Sequence, residues 1–279
     1  MRIDAHHHLW TLSRGDYGWM SPDLGPIYRD FAPADLAPLL KEAGIDKTIL
    51  VQAADTVAET DFMLSLADDT PFIAGVVGWV DMAAPYAIAT LDRLARNPHF
   101  KGIRPMIQEI ADDEWMLRPE LDRAFDALVA MELSFDALVL PRHLPHLLRR
   151  LDRHPDLACV IDHAAKPALA TGDLAQWGRD MARLARDTGA FCKLSGLVTE
   201  IGPDWALSQL APASELVLAE FGAGRVMFGS DWPVLNLASD YRTWVATADT
   251  LVASLPEDQR ALVWGRTAAA FYRVADAAP

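Results

Sequence analysis

The 279 residues are 51% hydrophobic and 23% charged, a globular balance that excludes a largely disordered or fibrous chain. At this length one domain over residues 1–279 is expected, large enough to bury its own core without disulfide or metal staples. Lys and Arg number 25 against 39 Asp and Glu, and the resulting charge of −14 repels polyphosphate backbones, so nucleic acid is not an expected partner, whereas a cleft with its own cluster of cations can still hold a small anion.

In chain order, strand-like runs fall at 2–5, 48–52, 72–78, 100–104, 133–140, 158–162, 190–195 and 225–229. Apolar stripes at helical spacing lie between them, such as Leu36, Leu39 and Leu40, then Leu117, Leu121, Phe125 and Leu128, then Leu144, Leu147, Leu148 and Leu151. Eight alternating units in this length predict an α/β fold, a closed parallel (β/α)8 barrel, with a doubly wound open sheet as the alternative. Two features exceed the minimal unit. Residues 10–31 form a long loop holding Trp10, Tyr17, Trp19 and Tyr28, expected to be a lid or binding wall, or else a cap on one end of the barrel. Residues 257–272 read as an extra C-terminal helix.

The two cysteines, Cys159 and Cys192, sit in apolar strand-like runs and are expected to be reduced and buried. The start, MRIDAHHHLW, lacks a basic region followed by an apolar one, and no run reaches about 18 apolar residues. The expectation is a soluble cytoplasmic protein with no membrane partner, a monomer or a homodimer.

In such a barrel the carboxyl ends of the strands converge on one mouth. The residues at those predicted ends are His6 and His8, Gln52, Trp79, Arg104, then Asp162, His163 and Lys166, then Lys193 and Ser195, then Asp231 and Trp232. Strand alternation puts His6 and His8 on one face, a spacing that permits a shared metal ion, and His163 and Asp231 can complete a set suited to zinc. Asp231 beside a bound water can act as a base; equally, it can cap the turn through Ser230, Trp232 and Pro233. Arg104 and Lys166 can hold a carbonyl oxygen, hydroxyls or a carboxylate, or can serve rim salt bridges, and Trp79 and Trp232 can form flat walls or pack in the core. No serine-hydrolase elbow, phosphate loop or dinucleotide fingerprint is present.

Five motifs in order, IDAHHHLW at the start, FKGIR, VIDHAAKP, CKLSGLVTE and FGSDWPV, resemble those of amidohydrolase-superfamily sugar lactonases, most closely the L-fuconolactonase group, over residues 3–272. Rhamnonolactonases and pyrone-dicarboxylate lactonases lie in the same wider family. The resemblance implies a distorted (β/α)8 barrel and opening of a small-molecule lactone by water, with Asp231 as general base and His6, His8, His163 or a metal held among them stabilising charge on the carbonyl oxygen. It implies that Arg104, Lys166 and Trp232 orient the substrate, with Gln52, Trp79 and Gln108 as further contributors. The fifth strand, LSFDALVL, has no lysine to carry the bridging carboxylate of two-metal relatives, so one divalent ion, zinc, or a metal-independent site is expected. Alternatives within the superfamily are dicarboxylate lactone hydrolysis, with Arg142 assisting, and nonoxidative decarboxylation; a non-catalytic binding barrel is the remaining one.

Overall fold

Eight short strands carry the architecture in the computed structural model, which describes residues 1–275: β1 (Ile3–His7), β2 (Lys47–Val51), β3 (Ile73–Gly78), β4 (Phe100–Ile103), β5 (Ser134–Ala137), β6 (Cys159–Ile161), β7 (Phe191–Leu194) and β8 (Val226–Phe228). They pair in parallel, in sequence order, each with the next. Closure of β8 on β1 runs through residues at the end of β1 and residues just past the end of β8. His7 and Trp232 form a parallel bridge, the Asp231 N–H donates to the His6 carbonyl at 2.8 Å, and the His8 N–H donates to the Trp232 carbonyl at 2.7 Å. The open-sheet alternative is thereby excluded, and the last ladder bonds of the barrel are made by the backbone of the candidate site.

Helices fill the crossovers that parallel pairing requires: α1 (Pro33–Ala43), α2 (Val57–Asp69), α3 (Ala87–Leu94), α4 (Asp122–Ala130), α5 (Leu144–Arg153), α6 (Ala175–Asp187), α7 (Leu207–Phe221) and α8 (Tyr241–Leu251). Local chemistry sets several ends. Pro33 opens α1, the Asp35 carboxylate receives the Ala32 N–H, and Gly44 closes the helix at φ 65°. Thr56 and Asp240 cap α2 and α8 by accepting the N–H groups of Glu59 and Thr243.

Most strand ends fall within two residues of the sequence pattern, and two elements depart further. The run 133–140 is strand only over Ser134–Ala137, although Leu138 and Val139 beyond it are buried. An apolar run reports burial, and it continues after ladder pairing has stopped. The tail is helical as expected but broken into α9 (Glu257–Ala261), a π-turn at Leu262–Arg266 and α10 (Thr267–Phe271). The break lies where the tail meets the chain start: any β carbon on Gly265 would press on the Met1 carbonyl.

The larger apolar core lies between sheet and helices. A smaller one gathers Ile3, Ala5, Ile49, Val51, Val77, Val160 and Met227 from five strands, with Ala268, Phe271 and Tyr272 of the tail against it. The tail thus plugs the amino-terminal end of the barrel and leaves the carboxyl end open for chemistry. Cys159 and Cys192 are free and buried. Among the described residues, no helix is long and apolar enough to cross a membrane.

Candidate active site

Four predicted residues meet at the carboxyl end of the barrel. The Asp231 Oδ1 atom lies 3.3 Å from His8 Nε2, 3.7 Å from His6 Nε2 and 3.7 Å from His163 Nε2. All four side chains are buried. Backbone conformation aims two of them: Asp231 sits at φ 58°, and His163 to Lys166 run consecutively through positive φ between 50° and 59°. Left-handed conformation costs a non-glycine residue on the order of 1–3 kcal/mol, and it persists where surrounding structure imposes it. Here the turn folds the chain back directly after Ile161, so that the His163 ring faces His6 with centroids 4.4 Å apart.

The far sides of the rings are held too. His8 Nδ1 is 2.8 Å from the Val51 carbonyl, which can only accept, so Nδ1 carries the proton and Nε2 keeps its lone pair. His163 Nδ1 pairs with Ser195 Oγ at 2.9 Å, and Asp162 stands behind His6, 3.5 Å from Nδ1. Gly196 makes room for this arrangement. A β carbon there would lie 2.5 Å from His163 Nδ1, at a φ of +63°. Gly196→Ala is therefore expected to displace His163 and lower kcat/KM by about tenfold or more, with a stability loss of only about 1–2 kcal/mol in urea unfolding. Unchanged kcat/KM would show that the placement of His163 is dispensable.

Electrostatics keep the carboxylate charged and the imidazoles neutral. Burial alone would raise the Asp231 carboxyl, but the surrounding imidazoles, His163 foremost and then His8 and His6, outweigh it and hold it below the usual carboxylate range. Burial lowers His163 to about 4 and depresses His8, and burial together with Lys193 depresses His6 strongly. Neutral imidazoles and a carboxylate are the donor set a divalent ion needs. One ligand atom each from His6, His163 and Asp231 fall within 4.8 Å of one another, with His8 beside Asp231. The fixed outer hydrogen bonds on His8 and His163, and the carboxylate behind His6, are the supporting shell such ligands require, so the residues fit a single ion.

The cluster opens onto a cavity of about 280 Å³ lined by His8, His163, Asp231, Arg104, Gln108, Lys166 and Glu109, with Trp19, Leu24, Met106, Leu138, Val234 and Leu237 as its apolar wall. The other predicted contributors stand back from it. Gln52 clasps Arg104, its Nε2 donating to the Arg104 carbonyl at 2.6 Å while its own carbonyl accepts from the guanidinium. Trp232 is buried edge-on against Phe31, and the backbone of Trp79 is tied to the Thr60 hydroxyl. The flat aromatic wall is supplied instead by Trp19 of the long first loop, whose indole N–H donates to the Ala53 carbonyl at 2.7 Å. Met106 and Glu109 carried no signal in sequence, since they lie past the end of β4 outside any strand, and Leu138 read only as part of an apolar strand-like run. Lys166 reaches Glu200 at 3.7 Å, and burial raises that carboxyl against the pull of Lys166.

Glu59 fixes the Ala53–Ala54 corner on which Trp19 rests, its carboxyl oxygens receiving the Ala53 N–H at 3.0 Å and the Ala54 N–H at 2.7 Å. Burial raises its pKa from 4.5 to about 8. The folded chain then holds a proton that the unfolded chain has lost, so this group's contribution is complete below about pH 4.5 and fades as pH rises through 8. Unfolding free energy is expected to fall by up to about 1.4 kcal/mol per pH unit in that window from this group. Urea titrations at pH 6 and 8 check it: Glu59→Gln should remove that share of the slope, and an identical slope in the variant would contradict the assignment.

Beneath the cavity lies a polar network. Lys193 Nζ contacts Asp136 Oδ2 at 2.6 Å, Asp162 Oδ1 at 3.0 Å and His6 Nδ1 at 3.1 Å, and the Tyr272 hydroxyl donates to Asp136 Oδ2 at 2.6 Å. All are fully buried. Lys193 thus points into the barrel but underlies the site and does not line it.

The chain is similar to known proteins over nearly its whole length. A family model described as amidohydrolase matches residues 3–274. The chain is 47% identical, over 98% of its length and 96% of that protein, to an L-fucono-1,5-lactonase of Burkholderia ambifaria. It is 36% identical, over 100% of its length and 98% of that protein, to an L-fucono-1,5-lactonase of Burkholderia multivorans. A crystal structure of an amidohydrolase from Burkholderia multivorans with bound zinc superposes with a TM-score of 0.92 at 37% identity, covering 99% of this chain and 100% of that one.

Proposed function

Because the chain belongs to the amidohydrolase family, we propose that it hydrolyses a sugar lactone of the fucono type to the open sugar acid, with Asp231 as the general base. The observation that carries this reading is the Asp231 carboxylate. Its Oδ1 takes all three imidazole contacts, and among the described residues Oδ2 has no protein hydrogen-bond partner, at the floor of a cavity that Asp231 lines. Oδ2 is thus placed to take a proton from a water molecule as that water attacks the lactone carbonyl carbon. The same proton then goes to the ring oxygen as its bond to the carbonyl carbon breaks, leaving a hydroxy acid that ionises at neutral pH.

His6, His163 and Asp231, with His8 alongside, would hold one divalent ion, zinc being the one their donors suit. Such an ion supplies Lewis-acid polarisation of the carbonyl. Arg104 and Lys166 offer donors to the substrate's oxygens, Gln108 adds a polar contact, and the Trp19, Leu24 and Met106 side accepts the less polar face of the ring. Charge on the lining favours a neutral lactone over a dicarboxylate. The cations Arg104 and Lys166 stand with the anions Glu109 and Asp231, while Arg142 is drawn off to Asp113 at 2.7 Å.

The test is a panel of aldonolactones of varied configuration, followed by proton release with spontaneous opening subtracted, beside pyrone-dicarboxylate and hydroxybenzoate panels. Turnover confined to aldonolactones is expected. Turnover confined to either of the others would overturn the reading.

A further inference from the structure

His6 is caught between two cations. Arg104 Nη1 lies 3.2 Å from His6 Nε2, and Lys193 Nζ lies 3.1 Å from His6 Nδ1. Guanidinium and ammonium groups only donate, whereas a neutral imidazole offers one lone pair and carries one N–H. One of the two contacts therefore sets N–H against N–H. The nitrogen that Arg104 addresses is also the one nearest Asp231, on the side where the ion-ligating atoms gather.

From this geometry we infer that Arg104 is a resident cation competing with the divalent ion for His6 Nε2, so that Arg104 sets the affinity of the site for metal. With the proton on Nδ1, facing Asp162 at 3.5 Å, the Nε2 lone pair is free and Arg104 occupies it. A metal ion bonding that nitrogen at about 2.0–2.1 Å needs the same lone pair. With the proton on Nε2 there is no lone pair to give, and Lys193 holds that tautomer in place. In both states the guanidinium's charge stands beside the ion's position and opposes it.

Arg104 has somewhere to retreat. Its Nη2 already donates to the Gln52 carbonyl and faces Gln52 Oε1 at 3.4 Å, and Asp162 Oδ2 is 3.5 Å from Nη1. With the proton on Nδ1, metal uptake would thus be an exchange, one Arg104 N–H giving up the ring nitrogen to the ion. The inference concerns ion affinity alone and stands whether or not the substrate is a lactone.

The experiment is zinc titration of metal-stripped protein against a chromophoric chelator, comparing the native chain with Arg104→Met and Arg104→Gln. Losing a charge-assisted contact and a neighbouring positive charge should tighten zinc binding by about tenfold or more. Zinc binding equal to or weaker than native, in a variant whose circular dichroism is native, would overturn the inference. Should neither variant fold, the native chain provides the second reading: nitrogen NMR of arginine side chains, with the Arg104 signal assigned by its loss in Arg104→Lys. That signal should move as zinc saturates the site, and a signal that stays in place would overturn the inference equally.

Discussion

Asp231→Asn is expected to lower kcat/KM for lactone opening by at least about 100-fold while leaving the fold intact. Asn has nearly the same shape, and it is among the few residues that readily adopt the left-handed conformation found here at φ 58°. The backbone bond from residue 231 to the His6 carbonyl, which helps to close the barrel, does not depend on the side chain. What the amide cannot do is accept a proton at neutral pH, the role assigned to Oδ2. Because Oδ1 also belongs to the candidate ion site, the rates must be compared in stripped and in zinc-saturated protein. A loss of about 100-fold in both places the defect in proton transfer. Recovery at saturating zinc would reassign Asp231 to ligation alone, and near-native turnover in stripped protein would remove it from the chemistry.

The barrel was legible because its signal is distributed. Eight short apolar runs, each bounded by Gly, Pro or a change of period, need only be counted, and an error of a residue or two at any one of them leaves the topology unchanged. The closure of β8 on β1 was not legible. It is made by His6 to His8 at the end of β1 with Asp231 and Trp232 past the end of β8, where pairing follows from the site's own backbone and not from a β-rich pattern.

Within the site, residues that keep strand alternation were found and those that depend on turns were not. His6 and His8 fall on one face as period two requires, apart from a register shift between Asp4 and His7. Trp232 was expected at the mouth because it follows Asp231, yet the left-handed turn at Asp231 sends it to Phe31. Trp19 takes the wall position through a hydrogen bond to Ala53 across 34 positions of sequence, a contact that no local pattern encodes. The ion network under the site escaped notice for a related reason. Asp136 and Lys193 each look like an isolated polar residue in an apolar strand until the barrel, with β6 between β5 and β7, turns both side chains into its interior.

That network yields the other large effect: Lys193→Met is expected to cost about 3–5 kcal/mol of unfolding free energy at neutral pH. Among the described residues Lys193 is the single positive charge within 3.0 Å of both Asp136 and Asp162, all three are fully buried, and methionine fills much of the same volume without replacing the charge. The Asp136 carboxyl is already raised, burial outweighing the pull of Lys193, and it keeps the Tyr272 hydroxyl as a donor. Asp162 loses more. Burial would raise it, and Lys193 is the largest of the opposing influences that hold it well below the ordinary value. Without Lys193 both carboxyls should favour protons in the folded state more than in the unfolded one, so the deficit should shrink as pH falls toward about 5. The double variant Lys193→Met with Asp136→Asn, which removes one of the stranded charges, should recover part of the loss. Urea unfolding of the three chains at pH 5 and 7.5 decides the matter. A deficit below about 1 kcal/mol, or one that does not change with pH, would mean that the buried carboxylates do not need the ammonium and that their charge is balanced by Arg104 and the hydroxyl alone.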